Sequence, residues 1–128
     1  MPTTDDDRAQ EVLGRAESLR LLATAGIGRL AYSQAALPAI RPVSFCLQGD
    51  DLLIPVPGRG PLIDALRGSV VAFEADAYDE ALRTGWTVAV VGASRVLDVK
   101  HTDESLPLRT VIAVRVGLVE GLRTGLPT

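Results

Sequence analysis

Between residues 10 and 25 the apolar positions recur at helical spacing. Val12, Ala16, Leu19 and Ala23 fall on one stripe, widened by Leu22, and Gly26 stops the run. The pattern predicts one amphipathic helix that must pack on something. After Gly26 the period drops to two. Residues 27–32 read as a first strand and 38–47 as a second, with 33–37 as the hairpin loop between them. On the second strand Val43, Phe45 and Leu47 share one face, and Ile40, Pro42, Ser44 and Cys46 share the other. Gly49, Asp50 and Asp51 mark a turn, so residues 52–56 form a third strand paired with the second.

Pro57, Gly58, Arg59, Gly60 and Pro61 break that strand. Residues 62–67 suit a short helix, with Pro61 as its first residue and Gly68 just past its end. Residues 69–75 read as a fourth strand, 76–84 as a polar connection, and 86–99 as a long fifth strand with Gly92 at a bulge or bend. A loop or short helix over 100–108 leads to a sixth strand at 110–118, and the Gly-rich stretch from Glu120 onward is expected to fray. Several strands are apolar on both faces. The pattern therefore predicts a mainly β fold, a six-stranded antiparallel barrel with an N-terminal helix and one short helix. So few helices cannot cover its outside, and the surplus apolar face predicts a homodimer.

Length and composition narrow this further. A chain of 128 residues with 47% apolar content suits one domain with a real core. We place that domain at 10–124, a disordered leader carrying Asp5, Asp6 and Asp7 at 1–9, and a tail at 125–128. A net charge of −3 without any basic run argues against nucleic acid as the main partner. Cys46 is the only cysteine, so an internal disulfide is excluded. The start lacks the positive charge and apolar run of a secretory signal. No stretch approaches the ~18 apolar residues of a membrane span. The cytoplasm is the expected location, with no membrane partner.

Residues suited to catalysis are few. His101, the only histidine, lies among Lys100, Thr102, Asp103 and Glu104 and reads as a solvated loop residue. One His and one Cys far apart give no metal set, and Cys46 inside a strand reads as a small hydrophobe. Glu74 and Asp76 share a strand face, as an acid–base pair or as a solvated strand end. No side chain is assigned a catalytic role. The segment 57–62 is more informative. Gly58 and Gly60 allow close approach to a ligand, a helix starts directly after, and Arg59 adds a fixed charge, so the segment can hold a phosphate. A plain Gly/Pro turn would have the same composition. Trp86, the only tryptophan, opens a strand, where its ring either lies against a planar ligand or packs in the core or an interface.

Taken together, Gly28-Arg29-Leu30-Ala31 after an amphipathic helix, Pro42-Val43-Ser44-Phe45, Val71-Ala72-Phe73-Glu74-Ala75-Asp76 and Gly85-Trp86-Thr87-Val88-Ala89-Val90-Val91-Gly92 come in a familiar order. The chain resembles the pyridoxamine 5′-phosphate oxidase-like family of FMN-binding split barrels, most closely its short bacterial members of uncertain substrate. The resemblance implies a dimer with two FMN sites at its interface and FMN-dependent oxidoreductase activity on a small molecule. It implies that Pro42, Val43, Ser44 and Phe45 line the isoalloxazine ring, largely through main-chain atoms. Arg59, Gly60 and Leu62 would meet the phosphate, and Trp86 would flank the ring from the other subunit. Pro61 stands where many relatives carry a phosphate-pairing Lys, and Pro55 and Val56 replace the usual polar residues. Loss of one charged hydrogen bond costs about 1.5–3 kcal/mol. A non-catalytic module binding flavin, haem or another flat molecule, and a reductase using a deazaflavin, are the alternatives. The segment 117–128 lacks the substrate-phosphate residues of the oxidase proper, so vitamin B6 oxidation is not predicted.

Overall fold

The structure, a computed structural model, describes residues 10–57, 60–98 and 109–125. Along the chain run β1 (Gln10–Leu13), α1 (Arg15–Leu22), β2 (Ile27–Gln34), β3 (Leu37–Ser44), β4 (Cys46–Gln48), β5 (Asp51–Pro57), α2 (Pro61–Ala65), β6 (Val70–Asp79), β7 (Thr84–Asp98) and β8 (Arg109–Gly125). The expected disordered leader and the 100–108 connection lie outside the described residues. Each of the expected strands is present. The extra pieces are β1, and the break at Phe45 that divides the second strand into β3 and β4.

The strands form one antiparallel sheet in the order β3-β2-β6-β7-β8-β5-β4, with β1 added to the end of β8. Its first and last strands, β3 and β4, are consecutive in the chain. The sheet therefore curls until its ends meet covalently at Phe45, while its hydrogen-bonded ladder stays open. This is a split barrel.

Backbone phase explains where the split lies. The Phe45 N–H donates to the Gly26 carbonyl at 3.1 Å. Backbone groups alternate sides along an antiparallel strand. Hence Ala39, Arg41 and Val43 turn their N–H and C=O toward β2, and Pro38, Ile40, Pro42 and Ser44 turn theirs away. On β5, Val116 N–H donates to the Asp50 carbonyl at 2.8 Å. Leu52, Ile54 and Val56 therefore face β8, and Asp51, Leu53, Pro55 and Pro57 face the other way. Cys46 pairs with Leu53 and Gln48 with Asp51. Continuing that register would set Ser44 against Pro55 and Pro42 against Pro57. Proline has no amide hydrogen, so only the Ser44 N–H exists to donate in those pairs. The ladder ends at Cys46–Leu53, and β3 and β5 separate beyond it.

Side-chain alternation builds the core on the other parity. Val43 and Phe45 on one side of the split, and Leu52, Ile54 and Val56 on the other, point inward with Leu30, Phe73, Val88, Val90, Ile112 and Val114. Phe45 packs edge-on against Phe73, ring centroids 4.7 Å apart at 67°. Gly28 makes room for this pair, since a Cβ there would overlap the Phe73 ring and the Glu74 carbonyl. Gly92 sits at the expected bulge, where the β7–β8 register shifts between Val91 and Gly92.

The structure corrects several expectations. The helix starts at Arg15, after Gly14, because residues 10–13 instead pair with Gly121–Thr124 of β8. Its buried residues are Ser18 and Leu22, whereas Ala16 and Ala23 are exposed and Val12 is a β1 residue facing solvent. Ser18 fits because Gly121 beneath it lacks a side chain, and its hydroxyl donates to the Gly14 carbonyl at 2.7 Å. The β2–β3 loop is only Ala35 and Ala36, since Gln34 pairs with Leu37. The polar stretch 76–84 is largely strand: β6 runs to Asp79, which pairs with Thr84. The tail is not frayed through 120–125, where β8 pairs with β7 and β1, and Gly125 belongs to that strand. Cys46 is exposed, not a core residue.

Two features give testable consequences. Ala35 and Ala36 both hold positive φ, 52° and 63°, in a two-residue turn that normally carries Asn-Gly. Left-handed backbone costs a non-glycine residue roughly 1–2 kcal/mol, partly offset by the looser unfolded chain that glycine brings. The double substitution Ala35→Asn/Ala36→Gly is expected to raise stability by about 1 kcal/mol in urea unfolding. Asp51 accepts hydrogen bonds from Arg95 and Arg115, each at 2.9 Å, and these arginines, Arg95 foremost, hold its carboxyl below the ordinary carboxylate range. A depressed folded-state pKa contributes stability above the unfolded value, and that contribution is lost as pH falls through the folded one. Asp51→Asn should thus destabilise by at most about 1 kcal/mol near neutrality, with the difference from the parent shrinking as pH falls below about 4. Unfolding curves at a series of pH values measure this.

Candidate functional site

At the mouth of the barrel a cavity of about 300 Å³ spans the split. Gln34 and Arg41 line it from β2 and β3, Val56 from β5, and Gly60, Pro61, Leu62 and Ile63 from the start of α2. The chain enters α2 at Gly60, whose φ of 153° lies where side chains are rarely tolerated. Pro61 takes the first helical position, as its fixed φ favours. Ile63 and Leu66 then bury their side chains in the core, which anchors the helix across the split. The Ile63 and Asp64 N–H groups close this first turn on the Gly60 carbonyl at 3.1 and 3.3 Å, and Pro61 has none to leave unpaired.

Arg41 shares the inward parity of Val43 and Phe45 but lies nearer the barrel's end, where its side chain stays exposed. Among the described residues it has no carboxylate partner. The contrast with other arginines is clear. Arg29 is held by Glu74 and Asp76 at 2.9 and 2.7 Å, Arg95 and Arg115 by Asp51, and Arg123 by Glu17 at 2.8 Å. Arg15 donates to the Gly117 carbonyl at 2.6 Å. An unpaired guanidinium beside an opening with polar and apolar walls is suited to an anionic group on an otherwise apolar ligand.

The expected site residues divide into groups. Gly60 and Leu62 come together at this cavity. Arg59 lies outside the described residues, as does His101. Val43 and Phe45 are buried, so their side chains serve the core, and any ligand there meets their main chain. Pro42 and Ser44 are exposed on the outward face, with backbone groups turned to the open edge. Trp86 is elsewhere. It packs partly on the core and lines a cavity of about 400 Å³ with Ala77, Tyr78, Asp79, Thr84, Gly85 and Arg123. One chain therefore does not bring Trp86 to the Gly60 cavity.

Glu74 and Asp76 do share a face, and Arg29 occupies the space between them. Its guanidinium is further raised in pKa by the Glu74 hydrogen bond first and the Asp76 bond second. This is an ion-pair cluster on the outside of the barrel. Arg41 was missed by sequence reasoning although a signal existed. Two residues before Val43 on an alternating strand, it is a charge placed on an inward-facing position.

Comparison with known proteins bears on this arrangement. A family model for pyridoxamine 5′-phosphate oxidase matches residues 14–117. An uncharacterized protein of Mycobacterium tuberculosis is 36% identical over 132 aligned residues, covering 90% of this chain and 87% of that protein. The solved FAD-binding protein from Mycobacterium smegmatis superposes with a TM-score of 0.73 at 26% identity, covering 90% of this chain and 98% of that one. A FAD-binding protein from Mesorhizobium loti gives a TM-score of 0.77 at 19% identity, over 91% of this chain and 97% of that one, and shares its fold. A sequence match spanning most of the barrel, on a chain whose sheet has the split topology, means that this protein belongs to the pyridoxamine 5′-phosphate oxidase family.

Proposed function

We propose that the protein is a homodimeric flavoprotein, an FMN-dependent oxidoreductase acting on a small organic molecule. The observation that carries the reading is the Arg41 guanidinium over the cavity at the split, without a carboxylate partner among the described residues. Family membership and the FAD-binding protein of Mycobacterium smegmatis, a structural relative at 26% identity, support the flavin. When bound, a flavin supplies hydride-transfer chemistry that no side chain of this barrel offers.

The chain's own residues would bind and orient. Arg41, with Gly60 and Leu62 and the adjacent Arg59, would hold the phosphate in place of the lysine that position 61 lacks. Open-edge backbone groups around Pro42 and Ser44 would meet the ring edge, and the buried Val43 and Phe45 would keep that strand rigid. Trp86 would reach the site from the second copy, since within one chain it lines another cavity.

The outer surface supports the dimer. Ile40, Ala31, Ala72, Val91 and Leu118 lie directly opposite one another, strand by strand, across β3, β2, β6, β7 and β8. Ile40 is 73% exposed and Leu118 74%, and Val70, in the next row, is 74% exposed. An apolar row of this length across a sheet face matches a self-complementary interface. In the row on the other side, Pro42 and Ala89 flank the Arg29–Glu74 ion pair, which bounds the apolar row.

Two experiments test the reading. The parent should bind FMN with the absorbance bands of a flavoprotein, and Arg41→Ala should weaken FMN about ten- to a hundredfold. Riboflavin, which lacks the phosphate, should be unaffected by that change, and Pro61→Lys should tighten FMN alone. Absence of flavin binding by the parent at ~100 μM, below the range of useful cofactor affinity, would end the proposal. Separately, Ile40→Lys/Leu118→Lys should give a monomer in sedimentation and abolish FMN binding with the circular dichroism intact. A dimer that persists would remove this face as the interface.

A further inference from the structure

We infer that Pro42, Pro55 and Pro57 are specificity-determining residues of this site. By withholding amide hydrogens from both lips of the split they stop β3 and β5 from pairing and leave the lip backbone to a ligand. For its ligand the inference rests on the flavin reading; for its geometry it does not.

The lips are complementary in every other respect. The β4–β5 ladder is in register at Gln48–Asp51 and Cys46–Leu53, and its continuation meets Ser44–Pro55 and then Pro42–Pro57. Beside the ladder's end both lips keep apolar side chains on the inward parity, Val43 and Phe45 against Leu52, Ile54 and Val56, and only farther out does Arg41 take that parity. Burial at these positions would thus favour closure; the missing donors oppose it, beside α2, which bridges the gap farther out. In an antiparallel ladder each such pair needs an N–H from both strands. Here the β5 lip offers carbonyls alone at 55 and 57.

This sets what the slot accepts. Toward β3 a ligand meets the N–H groups of Ile40 and Ser44 alternating with carbonyls. Toward β5 it meets acceptors only. At the mouth it meets Arg41 from one lip and Val56 from the other, both lining the same cavity. The fitting class is a planar heterocycle with alternating carbonyl and N–H groups along one edge, no acceptor on the opposite edge, and an anionic tail.

An edge-guard role for the prolines is the competing account, because unpaired strands invite pairing with other molecules and proline blocks it. The variants Pro57→Thr and Pro55→Thr/Pro57→Thr separate the two. Each restores N–H groups facing the split. Pro38→Thr restores one on the same edge of β3, beyond the reach of β5, and serves as the control. In the double variant, hydrogen exchange at the Ser44 amide should slow by about tenfold or more against the parent, and the amide newly present at 55 should be protected to a similar degree, as a new ladder pair forms. FMN and riboflavin should both weaken by at least about tenfold, because closure removes the ring's place as well as the phosphate's. Pro57→Thr should show a smaller change of the same sign, and Pro38→Thr none. Unchanged exchange at Ser44 with an unprotected amide at 55, or slowed exchange at Ser44 with flavin affinity intact, would overturn the inference. So would self-association of all three variants without protection at 44, which is the edge-guard outcome. A parent that binds no flavin would defeat the flavin reading instead, and exchange would still decide whether the prolines hold the split.

Discussion

Hydrogen-bonding capacity of the backbone, not side-chain packing, decides the shape of this barrel. Along a strand the side chains alternate in and out while the N–H and C=O groups alternate left and right. On both β3 and β5 the outward-facing residues are also the ones whose backbone faces the split. Prolines at 42, 55 and 57 therefore remove donors from the gap without touching the core, whose residues occupy the other parity. A substitution pattern that broke the inward parity would cost core burial, roughly 1.5–3 kcal/mol for each large apolar side chain. The pattern observed avoids that cost.

An open ladder has consequences at both surfaces of the sheet. Inside, the gap is bridged by α2, which sends Ile63 and Leu66 into the core and leaves a cavity beside its first turn. Outside, no helix of the described chain covers the curled sheet: α1 packs at the β8 end on the inward side, where Leu22 joins the core, where Gly121, opposite Val88, admits Ser18, and where Arg15 reaches the Val116 and Gly117 carbonyls. The row from Ile40 to Leu118 lies away from that helix. Nothing else in the described chain covers it. The same scarcity of helices leaves the row bare, and in the proposed dimer a second copy would cover it and would bring Trp86 toward a site it does not line within its own chain.

Much of this was legible before the structure. Period-two alternation put Val43 and Phe45 on one face and Ile40, Pro42, Ser44 and Cys46 on the other, and the structure keeps that division, with the first face buried, because alternation follows directly from strand geometry. Gly92 at the bulge was legible for the same reason. The helix was read at the wrong phase and length. Val12 and Ala16 fit a helical stripe, but whether residues 10–13 become helix or strand depends on the open edge of β8, which is not local information. The real inner face uses Ser18, a residue that a hydrophobic stripe never selects and that only the bare Gly121 makes suitable. The stretch 76–79 looked like a loop because it is polar on both faces. It is strand because the β6–β7 hairpin projects beyond the core and its pairing needs no burial.

The site repeats this lesson in its charges. Sequence reasoning placed the phosphate's cation within the Gly-rich turn, at Arg59, with Pro61 where many relatives carry a lysine. The three-dimensional neighbour of that turn is β3, distant in sequence by about twenty residues, and it carries Arg41 on an inward position that an apolar residue would normally hold. Pro61 and Arg41 are two halves of one arrangement. Proline at the first helical position fixes the backbone of α2 with no amide to leave unpaired, and a lysine there would forgo that rigidity. In the proposed site the charge would come from the opposite lip, as a planar guanidinium with several donors. Because Arg41 belongs to β3 and Gly60 to the α2 side, an anion held between them would tie the two lips together. The ligand would thus replace, at the mouth, the connection that the prolines deny to the backbone.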